Sequence, residues 1–396
     1  MNGRKQQCEG EPKQLSICMS VPDLGMGGMQ RVSTLVADAL NEYSHVYMLV
    51  EDMTGACFEP NVATVAIPGR NEIDRLGWVV TRIVRRLSRP FYRRAYWPQV
   101  YRRYPARQII ANLKEHRPDV IILNAQHLLY AHMIRKQLPG VGIILWLHSS
   151  HDTYVSRYFG TPALRHAISA ASAVVTLTES DRRQFSRICD HVVKIHNPIT
   201  MNTNGRIAEL GTQQIAFTGR LAMETKGLDR LVSLAACLPD GWRISAAGAG
   251  SPAEEASLRE MMKDRMVGDR LTLRGALSGE ALVDHYMNSS MFVSTSRWEG
   301  LPLTMIEAMA SGLPVVTFDH TGAQEILEGG RWGVLVPQGD VERMAAEIAK
   351  LAQDPDLLRY WQQKSLERAS HFTLGETVSR WGQLIGEVAE GRPNVN

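Results

Sequence analysis

RWEGLPLTMIEAMASG, residues 297–312, sets two carboxylates, Glu299 and Glu307, on either side of a helix start. Pro302 suits the first helical position, where its missing N–H costs nothing, and Gly312 followed by Pro314 supplies a stop, so the spacing predicts a short helix over about 302–311. Glu299 then lies in the loop before that helix. Pro302, Met305, Ile306 and Met309 fall at core-facing spacing, whereas Glu307 shares a stripe with Leu303 and Thr304. The N–H groups around Gly300, Leu301, Leu303 and Thr304 suit an anion, and two adjacent carboxylates can accept hydrogen bonds from sugar hydroxyls. A sugar joined to a phosphate fits this pattern. So, on this stretch alone, does an ordinary solvated or salt-bridged surface helix.

Apolar runs on both sides extend the pattern into an alternation of strand and helix. Strands are expected at 214–218, 242–247, 271–274, 291–295, 314–318 and 333–336, with helical segments between them, as in a doubly wound parallel sheet. The first half repeats the scheme with strands at 15–21, 45–51, 64–67, 119–124, 142–148 and 173–178. Their near-continuous apolar character describes sheets covered on both faces. Helices are also expected at 340–353 and 372–390. The fold class is therefore α/β with two Rossmann-like domains, joined by a polar linker over 200–213.

Chemistry-bearing residues gather where these strands end. Gly25, Gly27 and Gly28 in PDLGMGG follow the first strand, at the usual ligand edge of an open α/β sheet, without the dinucleotide spacing. His148 follows a strand in LWLHSSHD, where a site role and a capping or surface role both fit. In FTGRLAMETKGLDRLV, Gly219, Arg220, Lys226 and Gly227 lie between a strand and a helix starting near Leu228. Arg220 offers a planar fork and Lys226 a point charge, a combination suited to a diphosphate. Gly248, Gly250 and Gly275 add loop positions where a backbone can approach a ligand.

The 396 residues, 44% apolar and 21% charged, describe a globular protein of two ordinary domains, and the formal net charge of +3 implies no polyanion partner for the whole molecule. That mild total hides an uneven distribution. The segment from Arg75 to Arg107 holds ten arginines, no acidic residue and the aromatics Trp78, Phe91, Tyr92, Tyr96, Trp97, Tyr101 and Tyr104. Arg82, Arg85, Arg86 and Arg89 alternate with Val79, Ile83 and Leu87, as in a basic amphipathic helix on an anionic membrane. A solvated arginine face is the plainer reading. No nucleic-acid motif accompanies the segment, so no nucleic-acid partner is expected. Five scattered cysteines at no metal-ligand spacing describe reduced thiols in a cytoplasmic protein. No uninterrupted apolar run is long enough to span a bilayer.

Four pieces in order, GMGGMQRV, GRLAMETKG, EGLPLTMIEAMASGLPVV and DHTGAQEIL, give most of the chain a resemblance to family 4 of the retaining glycosyltransferases. The resemblance implies the GT-B fold, two Rossmann-like doubly wound domains facing across a cleft. Residues 1–198 would form the acceptor domain, joined by the C-terminal helix 373–396, and 199–372 the nucleotide-sugar domain. It implies transfer of a sugar from a nucleoside-diphosphate donor, UDP-linked by expectation, to a hydroxyl of a cell-envelope glycan, lipid-linked or polymer acceptor. Anomeric configuration would be retained, with no metal or other cofactor.

By the same resemblance Glu307 would hold the donor ribose and Glu299 the transferred sugar, with His148 near that sugar. Arg220 and Lys226 would stabilise the leaving diphosphate. Gly27, Gly28, Gly219, Gly275, Gly300, Leu301, Pro302 and Leu303 would line the donor. The arginine segment would bring the enzyme to the inner face of the cell membrane. A nucleotide-sugar epimerase, a sugar phosphorylase, or a non-catalytic envelope or nucleic-acid binding protein are the alternatives.

Overall fold

The structure is a computed structural model that describes residues 14–67 and 103–391. Seven strands form the first sheet: β1 (Ser16–Asp23), β2 (His45–Asp52), β3 (Ala63–Ala66), β4 (Val120–Asn124), β5 (Gly142–Trp146), β6 (Ala173–Thr176) and β7 (Val192–Lys194). Their order is β3-β2-β1-β4-β5-β6-β7. The second sheet holds β8 (Gln214–Thr218), β9 (Arg243–Ala247), β10 (Leu271–Gly275), β11 (Met291–Ser294), β12 (Val315–Phe318) and β13 (Val334–Val336), ordered β10-β9-β8-β11-β12-β13. All its neighbours pair in parallel.

The apolar runs become strands because every residue of β4, β5, β6, β11 and β12 is buried, which leaves neither face to solvent and favours apolar side chains at nearly every position. Each sheet starts in its middle, grows to one edge and then reverses. The reversal falls between β1 and β4 in one sheet and between β8 and β11 in the other. At such a switch point the loops leaving two adjacent strands diverge to opposite faces and open a crevice at their carboxyl ends.

Contacts group the chain into one unit of Met1–Trp146, Pro162–Val174 and Trp381–Asn396, and another of Leu147–Thr161 and Val175–Arg380. In the first, Trp146 and Trp381 meet edge to face with ring centres 4.7 Å apart. In the second, Phe217, Leu231, Ile244, Leu258, Phe318, Met344 and Ile348 pack a single core.

Several boundaries differ from expectation. The helix at the central stretch is Leu303–Ala310, and Pro302 is its N-cap in extended conformation, one residue outside the helix it was expected to begin. β7 was not expected, being only three half-buried residues long. The helix Pro355–Ala369 also escaped the sequence reading. Its start is nonetheless marked chemically: Asp354 accepts the N–H groups of Asp356 and Leu357, with Pro355 at the first position.

The linker is tied down along its length. Ala208 N–H donates to the carbonyl of Ser311, Gln362 donates to the carbonyl of Ala208, and Arg206 pairs with Glu280 and Asp284. Only the last five residues of the arginine-rich segment fall within the described residues, where they open the helix Arg103–His116; the rest lies outside them. Among the described residues Cys18, Cys57, Cys189 and Cys237 are free thiols, and no helix is long and apolar enough to cross a membrane.

Candidate active site

The loops leaving β8 and β11, the neighbours at the second switch point, carry Lys226 and Glu299. These two side chains form a direct ion pair, largely shielded from solvent. Ser296 donates its hydroxyl to the same carboxylate oxygen of Glu299 at 2.8 Å. Burial alone would raise the Glu299 pKa, but the Lys226 side chain, with smaller help from His320 and Ser296, outweighs it and the net shift is downward, so the carboxylate is ionised at neutral pH.

The turn that presents Lys226 depends on Gly227. Its φ of 62° is left-handed, and a Cβ there would lie 2.2 Å from the Thr295 carbonyl oxygen. Thr295 in return donates its hydroxyl to the Lys226 carbonyl at 2.8 Å. Arg297 clamps the same two loops: its guanidinium reaches both Asp229 oxygens, at 3.0 and 2.6 Å, and the Glu224 carbonyl at 3.0 Å. A planar fork of fixed geometry suits this bidentate task. Neither Arg297 nor Asp229 drew attention in the sequence, because their pairing spans 68 positions.

Gly300 lies against the loop after β5. A Cβ on it would stand 2.3 Å from the His148 carbonyl oxygen and 3.1 Å from the Ser149 Cα, so two backbones touch where only hydrogen fits. On its other side Gly322 approaches, with its own Cβ position 2.5 Å from the Gly300 carbonyl oxygen. The His148 N–H donates to the Tyr154 hydroxyl at 3.0 Å, and burial pushes the imidazole pKa down to about 3, which keeps the ring neutral at physiological pH. Arg157 stacks on Trp298, 3.8 Å from the ring centre, and pairs with Glu224. His148, Gly300, Glu299 and Lys226 therefore belong to one contiguous group of loops.

Leu301 and Pro302 are buried and Leu303 half-buried at the N-terminus of the helix Leu303–Ala310. Met305 and Ile306 N–H groups turn to the Pro302 carbonyl, so the N–H groups of Leu303 and Thr304 precede the first intrahelical bond. Glu307 is only 2% exposed, which excludes a solvated surface residue. It accepts hydrogen bonds from Thr200 at 2.6 Å and from Tyr286 at 3.3 Å. Both partners are more than twenty positions away and went unremarked in the sequence.

Gly219 follows β8 beside the Lys226 side chain, whose Nζ lies 3.3 Å from the position of a Cβ there. Arg220 is exposed beside it. Gly275 ends β10, and its carbonyl accepts the Gly248 N–H at 2.7 Å. In the other unit, Gly27 caps the helix Gly28–Leu40 in extended conformation, and Asp23 orders this loop by accepting from Gly25 N–H and Gln30.

His320, after β12, was quoted in the sequence without a role. It is 8% exposed, and its charge environment is set by Glu299, Lys226 and Asp319. The first unit holds a further unexpected network: Ser20 Oγ meets His127 Nδ1 at 2.7 Å, and His127 Nε2 meets Glu51 at 3.0 Å. Both Ser20 and His127 are fully buried, so this is a packing network rather than an open nucleophile. Among the described residues no three His, Cys, Asp or Glu side chains gather as a metal cage.

Comparison with known proteins adds an independent line. Residues 44–202 match Glycosyltransferase Family 4, and residues 206–368 match Glycosyl transferases group 1. An uncharacterized glycosyltransferase of Haemophilus influenzae is 28% identical over 249 residues, which is 61% of this chain and 69% of that protein. An amylovoran biosynthesis glycosyltransferase of Erwinia amylovora is 22% identical over 70% of this chain and 80% of its own. Anabaena Alr3699/HepE, solved in complex with UDP and glucose, superposes with a TM-score of 0.74 at 16% identity, covering 94% of this chain and all of that one. The likeness to solved structures establishes the fold as GT-B.

Proposed function

We propose, from the premise that this chain belongs to the family 4, group 1 glycosyltransferases, that it moves a sugar from a UDP-linked donor to a hydroxyl of a cell-envelope glycan, either a lipid-linked or a polymer acceptor, with retention of anomeric configuration and without a bound metal. The observation that carries the reading is the shielded Lys226–Glu299 pair at the switch point of the second sheet, beside a helix N-terminus. UDP is favoured because HepE was solved with it, and a glycan acceptor because a relative serves amylovoran biosynthesis.

Breaking the bond between the anomeric carbon and phosphate leaves positive charge on the sugar and negative charge on the diphosphate. In this reading Lys226, Arg220 and the leading N–H groups of the helix Leu303–Ala310 are fixed in advance where that negative charge grows, and so lower the barrier without reorganising. Glu299 holds the sugar, and Glu307, oriented by Thr200 and Tyr286, holds the ribose. His148 contributes a neutral imidazole near the sugar. The departing phosphate takes the acceptor proton as the acceptor oxygen attacks from the same face. The arginine and aromatic residues of 75–107 bring the enzyme to an anionic membrane that carries the acceptor; failure of anionic liposomes to retain the protein at low salt contradicts this part.

The test is release of free nucleoside diphosphate from a panel of UDP-, GDP- and ADP-sugars with envelope glycan acceptors. The expected result is turnover with one UDP-sugar, unaffected by EDTA, giving a product whose anomeric proton coupling in NMR matches the donor. Lys226→Ala and Glu299→Ala should each lower the rate at least a hundredfold. Unchanged turnover in both variants would remove these residues from the chemistry.

A further inference from the structure

His320 caps the helix Thr321–Leu327 by accepting the Ala323 N–H on Nδ1 at 3.2 Å. That bond occupies the Nδ1 lone pair, so the proton of the neutral ring sits on Nε2. Burial drives the pKa of this imidazole down to about 4, against the opposing pull of Glu299, and the neutral ring prevails at physiological pH. Nε2 is itself buried and has no hydrogen-bond partner. A buried N–H without an acceptor is costly, and a structure retains one where another arrangement uses it.

The neighbouring ion pair carries a complementary problem. If Lys226 is to meet a diphosphate it must leave Glu299, and a shielded carboxylate stripped of its cation is costly. Ser296 would remain as one donor to Glu299. Gly322, two residues beyond His320, abuts Gly300, the residue after Glu299, with a Cβ position 2.5 Å from the Gly300 carbonyl oxygen, so the His320 loop packs against the loop that carries this carboxylate. Glu299, Lys226 and Asp319 are the ionisable groups acting on the ring.

We propose that His320 is a positioning residue whose Nε2–H takes over Glu299 when Lys226 turns from that carboxylate to the diphosphate of the donor. Both the unspent N–H and the carboxylate that has lost its ammonium are then resolved by one rearrangement, and Glu299 stays ionised and oriented toward the sugar. This rests on the donor reading given above.

His320→Asn isolates the effect, since asparagine keeps an acceptor at the cap and removes the Nε2 donor. With UDP, UDP-glucose, GDP and GDP-mannose as calorimetric probes, the variant should melt near the wild-type temperature. It should bind whichever probe the wild type binds about tenfold more weakly. In a Glu299→Gln background, where no carboxylate charge needs a partner, the same His320→Asn change should have no effect. On the unsubstituted protein, the imidazole Nε2–H proton resonance should move downfield when that probe is added.

Wild-type affinity in His320→Asn, an equal tenfold loss in the Glu299→Gln background, or an unmoved resonance would each overturn the exchange while leaving the donor reading intact. A wild type that binds none of the four probes removes the donor reading, and the role of His320 with it.

Discussion

At the scale of single residues, the site is set by backbones that touch. Gly300 has no room for a methyl group because the His148 carbonyl already occupies that space at 2.3 Å. Gly300→Ala should therefore cost about 1–3 kcal/mol in thermal unfolding and displace Glu299, lowering kcat/KM more than a hundredfold. A variant as active as the wild type would refute that coupling. Arg297→Lys tests a second contact: it keeps the charge and loses the fork on Asp229, so Lys226 and Glu299 drift apart and kcat falls about tenfold with little change in melting temperature. The sequence located Glu299 in a loop and Lys226 after a strand, but their pairing depends on the order of strands in a sheet. Only the resemblance brought them together. Arg297 and His320 stayed illegible because one acts through a distant carboxylate and the other through its tautomer.

Among elements, the strands were the easiest to read, since burial on both faces leaves a continuous apolar run with no competing pattern. The exceptions follow the same logic. β7 is short and half-buried, and the helix Pro355–Ala369 carries polar residues on much of its surface while packing one side on the helix Leu303–Ala310. The short helix Thr321–Leu327 is anchored by Glu325, which accepts from Lys194 at 2.8 Å, from His196 at 2.7 Å and from the Glu179 N–H at 2.7 Å. Burial would raise this carboxyl, but hydrogen bonds from His196 and Lys194 hold it at about 2, below its ordinary 4.5. Its folded pKa is depressed, so the stabilisation is whole above pH 4.5 and disappears as pH falls toward 2. Glu325→Gln should cost about 2–3 kcal/mol at pH 7 and little at pH 2, as read by denaturant titration at both values.

For the whole molecule, three imidazoles act in the same direction. Burial pushes His148 to about 3, and His285 and His320 to about 4, below the ordinary 6.5. The unfolded chain takes up these protons first, so their contribution to stability is complete above pH 6.5 and is lost as pH falls to about 4 for His285 and His320 and on to about 3 for His148. Stability should fall there by at most about 4 kcal/mol per pH unit, and a flat melting temperature across that range contradicts the burial of these rings. The central claim is that the loops after β8 and β11 hold a nucleoside-diphosphate sugar. Thermal melting of the wild type and of Lys226→Ala, each with a panel of sugar nucleotides, tests it most directly. At a hundredfold excess over Kd a ligand adds about 2.7 kcal/mol to the folded state. A UDP-sugar should raise the wild-type melting temperature by several degrees and leave Lys226→Ala unmoved. Equal shifts in the two proteins, or none with any sugar nucleotide, would contradict the account.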